Sequence, residues 1–178
     1  LDALFYASEN FRTVAIIYKS VYSKKETQRE VNPYYLFYKD GIWYMRAYCH
    51  LRKEVRTFAL DRIVSARVLN RHFAPVNTDP VAELSGAFGP VVGGKPVKVV
   101  LRFDAEITPF IVRKKWHESQ KVRELKNNGI EVSFKINGLE DIGTWVYRWL
   151  PHVEVVSPKK LKERMHADLK EALKKYKK

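Results

Sequence analysis

The sequence has one cysteine, Cys49, in 178 residues. That excludes an intrachain disulfide and a zinc cage built on cysteines. Cys49 falls on an alternating apolar stretch and reads as a small core residue. One cysteine is compatible with a reducing compartment, so a cytoplasmic location is expected. Long hydrophobic runs are missing too. None approaches the ~20 residues of a membrane helix, and no membrane partner is expected. The opening residues, LDALFYASENF, carry two acids and no basic segment, so they do not read as a secretory leader. The chain does not begin with methionine, which leaves room for an N-terminal partner domain.

Catalytic signatures are also lacking. The five histidines, His50, His72, His117, His152 and His166, form no HxH or HExxH pair. Gly93-Gly94-Lys95-Pro96 lacks the spacing and the Ser/Thr of a Walker phosphate loop. Ser85-Gly86 is no nucleophile elbow. Glu140-Asp141 opens a helix and reads as charge complementing its dipole. No enzyme activity, metal or cofactor is expected. No internal repeat or low-complexity tract is visible.

Acids are outnumbered, with 20 Asp/Glu against 33 Lys/Arg and a formal net charge of +13. The excess is shared, since residues 1–73 carry thirteen Lys/Arg against seven Asp/Glu and the remainder twenty against thirteen. This is not a neutral domain with a basic tail. The balance favours anionic partners such as nucleic acid, nucleotides or another phosphate-bearing ligand. A lysine-rich solvated surface is the alternative. Hydrophobic residues make up 46% of the chain, enough for a buried core in one domain or two small ones.

Along the chain, 1–10 reads as a short amphipathic helix. Strands are predicted at 13–18, 31–38, 42–49, 55–60 and 63–69, with a tight turn at Asp40-Gly41. The polar stretch 20–30 reads as a loose hairpin connection. Pro33 is placed near a strand start, where a missing N–H is tolerated. Five short strands after one helix suggest a strongly bent sheet or barrel. Prolines and glycines then punctuate 71–96, with one short helix predicted over 80–88. The second half reads strand 97–104, helix 108–115, strands 121–125 and 130–136 around Asn127-Asn128-Gly129, helix 139–150, strand 153–156 and helix 158–176. That last helix has a stripe of Leu161, Met165, Leu169, Leu173 and Tyr176. Trp43, Trp145 and Trp149 are assigned to core. The fold class is α+β throughout, with 1–73 as a first domain, 74–96 as linker and 97–178 as a second domain.

The stretch GIWYMRAYCHLRKEVRTFALDRI resembles the WYL domain, named for a Trp-Tyr-Leu tripeptide that here reads Trp43-Tyr44-Met45. Ile17-Tyr18-Lys19-Ser20, Asn32-Pro33, Leu36, Arg56-Thr57-Phe58 and Asp61-Arg62-Ile63 agree with it. Val99-Val100-Leu101-Arg102-Phe103, Lys115-Trp116-His117, Gly138-Leu139 with Trp145 and Trp149, and Ser157-Pro158-Lys159-Lys160-Leu161 resemble the C-terminal extension that often follows such domains. The resemblance implies an Sm-like, SH3-type β-barrel followed by a ferredoxin-like domain. It implies the ligand-sensing and dimerising region of a bacterial transcription regulator. A helix-turn-helix, not recognisable in this chain, would bind duplex DNA. The implied ligand is single-stranded DNA or RNA, or a nucleotide, and the implied assembly is a homodimer.

The family's ligand pocket matches here at Tyr18, Ser20, Tyr44, His50, Arg52, Arg56 and Arg62. In that reading the three arginines hold phosphate, His50 and Ser20 exchange hydrogen bonds, and Tyr18 and Tyr44 stack or donate a hydroxyl. Strand alternation puts Tyr44, Arg46, Tyr48, His50 and Arg52 on one face and Trp43, Met45, Ala47 and Cys49 on the other. Arg56 and Arg62 converge on the first face if the sheet curls. A basic groove interleaved with tyrosines is the pattern for a single strand. Each residue also has a plainer reading. Tyr44 packs in a barrel, Arg62 pairs with Asp61, His50 is an ordinary surface histidine, and Arg46 guards an edge. Lys159, Lys160 and Lys162 form a solvated face or flank a nucleic-acid path. Two other functions remain open at this level: a stand-alone nucleic-acid-binding accessory module and a dimerisation scaffold.

Overall fold

In the computed structural model, residues 1–21 and 25–177 are described. The chain forms two compact units, Leu1–Pro80 and Val81–Lys178.

The first unit is one helix and a five-stranded antiparallel sheet. Its elements are α1 (Asp2–Glu9), β1 (Arg12–Lys19), β2 (Glu26–Lys39), β3 (Ile42–Cys49), β4 (Glu54–Ala59), a 3-10 turn (Leu60–Arg62) and β5 (Ile63–His72). The strand order is β4-β3-β2-β1-β5. β4 and β5 are therefore opposite edges, and no ladder joins them, so the sheet is open. Yet only three residues connect them. Four strand gaps of about 4.8 Å would separate the edges of a flat sheet by about 19 Å. A 3-10 turn rises only about 2 Å per residue. The sheet must curl, and register shifts at Pro33/Tyr35, Arg12/Val14 and Ile17/Tyr18 supply local bends.

The β2–β3 turn has Asp40 at φ 50° and Gly41 at φ 85°, the paired positive values that a two-residue hairpin turn needs. Core residues on the concave face alternate with outward ones. They include Val14, Ile16 and Tyr18 on β1, Met45, Ala47 and Cys49 on β3, and Phe58 on β4, with Leu4 and Ala7 of α1 covering them.

Three sequence expectations change here. β2 starts at Glu26, well inside the stretch taken as a connection; residues 22–24 of that stretch lie outside the described residues. Pro33 sits mid-strand beside the register shift, which leaves its missing N–H harmless. Trp43 is not core. It is 36% exposed, at the edge of the unit, with its ring 5.5 Å from those of Phe5 and Tyr38.

The second unit contains α2 (Pro80–Ser85), which starts at the boundary, then β6 (Pro96–Phe103), α3 (Thr108–Val112), β7 (Lys121–Glu124), β8 (Ile130–Asn137), α4 (Glu140–Tyr147), β9 (Val153–Ser157) and α5 (Lys159–Tyr176). Its antiparallel sheet runs β7-β8-β6-β9. Ile130, Val132, Phe134 and Ile136 share one face of β8, as period-two alternation requires. Side chains from α3, α4 and α5 pack on that face. Phe88, from the stretch expected to be linker, packs against the same core, and Ala87 bridges to Asn137. α5 departs from expectation. Leu161 and Met165 are buried, but Leu169, Leu173 and Tyr176 are exposed.

A cross-strand charge ladder ties the sheet's other face. Glu131 of β8 stands opposite Arg102 of β6 and Arg123 of β7. It accepts hydrogen bonds from Arg123 Nη2 (2.8 Å) and Arg102 Nε (3.1 Å). These bonds, Arg123's first, hold its carboxyl below the usual 4.5. A depressed folded pKa gives stability that is present above pH 4.5 and lost as pH falls through the folded value. Glu131→Gln is expected to flatten the acid limb of thermal stability against pH, measured by circular dichroism. An unchanged acid limb would contradict this role.

Candidate ligand-binding site

Directly opposed residues in an antiparallel ladder point to the same side of the sheet. Ile16 faces Arg29, and Tyr18 faces Thr27. Met45 faces Phe58, Ala47 faces Arg56, and Cys49 faces Glu54. The concave face is thus apolar through its middle, and on β2 and β4 it turns polar at Thr27, Arg29, Arg56 and Glu54.

Curling brings together rings from strands that are not neighbours. Tyr18 of β1 and Phe58 of β4 meet edge to face, with centroids 5.2 Å apart at 88°. The Arg29 guanidinium lies over both rings, with its Cζ 5.3 Å from the Tyr18 centroid and 5.8 Å from that of Phe58. Its orientation is fixed from one side. Arg29 Nε donates to Thr27 Oγ1 (2.9 Å), whose hydroxyl donates to the Tyr18 carbonyl (3.2 Å). Among the described residues, nothing accepts from its two Nη groups. That leaves a half-buried cation, pre-oriented by rings and one hydrogen bond, with its fork open. Such a fork suits bidentate contact to a phosphate or carboxylate.

Of the seven residues singled out from sequence, Tyr18 and Arg56 share this face. Arg56 Nη1 meets Glu54 Oε1 at 2.6 Å, but the two side chains are 43% and 58% exposed. A pair this exposed is worth at most about 1 kcal/mol, so a stronger anion can exchange for it. Ser20 lies two residues past Tyr18, with its N–H bonded to the Lys25 carbonyl. Arg62 precedes Ile63, the β5 partner of Tyr18, and is exposed. Arg52 is exposed in the β3–β4 turn, where the Arg52 and Lys53 N–H groups both reach the Cys49 carbonyl (3.2 and 2.7 Å). The His50 N–H bonds the Glu30 carbonyl (3.0 Å), which sets this basic turn beside the Arg29–Glu30 segment. No carboxylate lies within 4.0 Å of Arg52 or Arg62 among the described residues, so Arg62 is not paired with Asp61.

Tyr44 and His50 go elsewhere. Tyr44 stands opposite Phe37 on the convex side, and their rings stack at 5.3 Å. His50 Nε2 shares a hydrogen bond with Asn32 Oδ1 (2.9 Å), which also accepts from the buried Thr13 hydroxyl (3.0 Å). Its ring meets Tyr48 edge-on. This is a convex-face polar network. Nearby, Arg71 holds the Glu30 carboxyl below its usual range, first through a hydrogen bond. The single face drawn from β3 alternation is thus not the one that carries Arg56. Arg29, Thr27 and Phe58 are members of this candidate site that were not singled out from sequence. The signal for Arg29 is its phase with Val31 along β2.

Among the described residues, no cluster of three His, Cys, Asp or Glu is placed to hold a metal ion. No helix among them is long and apolar enough to cross a membrane.

Fold and site together describe an arginine-lined β-domain joined in sequence to an α+β domain. The chain carries two recognised domains: the WYL domain matches residues 1–68 and the WCX domain residues 95–173. It is 36% identical over 67 residues to an uncharacterized HTH-type transcriptional regulator, YobV, of Bacillus subtilis, covering 38% of this chain and 21% of that protein. It is 39% identical over 54 residues to the DNA-binding transcriptional repressor CapW of Escherichia coli, covering 30% and 18%. The matched region is therefore about a fifth of either relative's length. A solved structure of a CRISPR Cas-related protein shares the fold, with a TM-score of 0.59 at 11% identity over 98% of this chain and 50% of that one.

Two substitutions separate architecture from binding surface. Phe58→Ala is expected to cost about 3–5 kcal/mol of unfolding free energy, since Phe58 is buried in the curl. Arg29→Ala is expected to cost no more than about 1 kcal/mol. Urea unfolding measures both. A loss at Arg29 as large as that at Phe58 would make the arginine a structural element.

Proposed function

We propose that this chain is the ligand-sensing and dimerising region of a bacterial transcription regulator. Its ligand is a single-stranded nucleic acid or a nucleotide, held at the concave face of the first unit. The observation that carries the reading is the open fork of Arg29 lying over the Tyr18 and Phe58 rings, with Arg56 on the same face. Phosphates need fixed cations and bases need aromatic platforms, and this corner offers both. Arg52 and Arg62 extend the basic rim. Ser20 supplies a hydroxyl near Tyr18. Tyr44 and His50 act indirectly, by keeping the convex side and the β3–β4 turn in place.

In this reading the first unit is an Sm-like, SH3-type barrel, a view supported by the strand order and the short 3-10 closure. The second is ferredoxin-like, supported by its βαββαβ order and the β7-β8-β6-β9 sheet. The relatives' descriptions as HTH-type and DNA-binding regulators support an attached DNA-binding module in the whole protein. Such modules bind two-fold operators as dimers. Ligand binding would change operator affinity only through different ligand affinity in two states of the dimer. The region carries no catalysis and works in the cytoplasm.

Fluorescence anisotropy with a labelled single strand of about ten nucleotides tests the reading. Arg29→Ala combined with Arg56→Ala is expected to weaken binding at least about tenfold. Each cation lost should also make the salt slope shallower by about 0.7. Equal affinity and an unchanged slope in the double variant would reject this site.

A further inference from the structure

A separate cavity of about 480 Å³ opens in the second unit, between the start of β6, the β8–α4 connection and the first turns of α5. We propose that it is a binding site for a phosphoryl group carried on a small organic body. The inference does not rest on the first unit's site.

Three cations line it: Lys95, just before β6, and Lys160 and Arg164, one turn apart on α5. No carboxylate lies within 4.0 Å of any of the three among the described residues. Their neighbours differ. Lys159 pairs with Glu163 at 3.6 Å and Lys162 with Glu154 at 3.3 Å. Lys159, Lys160 and Lys162 are all exposed, and Lys160 differs from its neighbours in lining the cavity with no carboxylate within 4.0 Å among the described residues. Gathering three like charges is unfavourable unless an anion neutralises them.

Arg164 is held for such a task. Its Nη2 reaches toward the Leu139 carbonyl at 3.4 Å, and the guanidinium lies against Gly143. A Cβ at Gly143 would fall 1.4 Å from Nη2, so α4 keeps a glycine where the arginine passes. The acid in the wall, Glu140, accepts from the Leu139 N–H at 3.0 Å and makes no ion pair within 4.0 Å with any of the three. α5 enters from Pro158 with no acid in its first turn, so its N-terminal partial charge adds to the cations.

Arginine offers a planar fork and the lysines offer point charges, which together match the oxygens of a phosphate dianion. The cavity is larger than an inorganic ion needs and falls within the usual range for small-ligand pockets. Val97 and Leu161 supply apolar wall for the remainder of the molecule. The same group could come from a free phosphate ester or from the 5′ end of a strand.

The test uses the full chain with adenosine 5′-monophosphate, inorganic pyrophosphate, and a short single strand with and without a 5′-phosphate, read by isothermal titration. Saturable binding of at least one phosphorylated probe is expected. Lys95→Ser with Lys160→Ser should weaken it at least about tenfold. Lys170→Ser with Lys175→Ser removes the same charge from exposed α5 positions and should leave it unchanged. The titrations are repeated with Arg29→Ala and Arg56→Ala present, which removes the first unit's share of strand and nucleotide binding; the phosphate-dependent binding that remains should still be lost with Lys95→Ser and Lys160→Ser. Arg164→Lys should weaken it while keeping the charge, because the fork is lost. A 5′-phosphorylated strand binding more tightly than both its 5′-hydroxyl form and the mononucleotide assigns the strand end as the source. Comparable binding of the mononucleotide assigns a free ester. The proposal is overturned if no phosphorylated probe saturates, or if the Lys95/Lys160 variant binds like the parent.

Discussion

Three residues, Leu60–Arg62, have to carry the chain from one edge of a five-stranded sheet to the other. That single constraint forces the curl. In a flat sheet β1 and β4 would lie three strand gaps apart, about 14 Å. Here the rings of Tyr18 and Phe58 are 5.2 Å apart. The apolar middle of the concave face supplies the driving force, and the ring contact closes it. Everything chemical in the first unit follows from that closure. Arg29 finds two ring faces instead of one. Arg56 is brought onto the same side, and the basic turn after β3 is hydrogen-bonded beside it.

The second unit is built on a different principle. Its sheet stays open, and helices cover one face with an apolar interior, while the other face carries the Arg102–Glu131–Arg123 ladder. Its α5 starts buried and ends exposed. Amphipathic spacing in a sequence says that a helix has an apolar side; it does not say how far along the helix anything covers that side. Leu169, Leu173 and Tyr176 fit the helical period as well as Leu161 and Met165 do, and they are uncovered in this structure.

Much of the element map was legible in the sequence because its signals were local. Asp40-Gly41 announced the first hairpin, Asn127-Asn128-Gly129 the second, and β3 emerged with the expected bounds. The corner proposed to bind ligand was less legible. Arg29 lies in Glu26-Thr-Gln-Arg-Glu30, which has no apolar alternation to mark a strand, so β2 was expected to begin too late. The split of Tyr44 and His50 from Arg56 depends on ladder register, with Arg56 opposite Ala47. Alternation along one strand cannot fix what its neighbour presents. Trp43 looked like core because alternation puts it on the same face as Met45, Ala47 and Cys49, and only the position of Phe5 and Tyr38 shows it to be an edge contact.

The central claim is that ligand meets the concave corner and not the tyrosine-bearing convex face. Aromatic-ring NMR during titration with an unlabelled single strand tests it most directly. The account predicts that the largest shift changes fall on the Tyr18 and Phe58 ring protons and on the Arg29 Nε–H. Changes concentrated instead on Tyr44, Phe37 and Tyr48, with the Tyr18 and Phe58 rings unmoved, would contradict it.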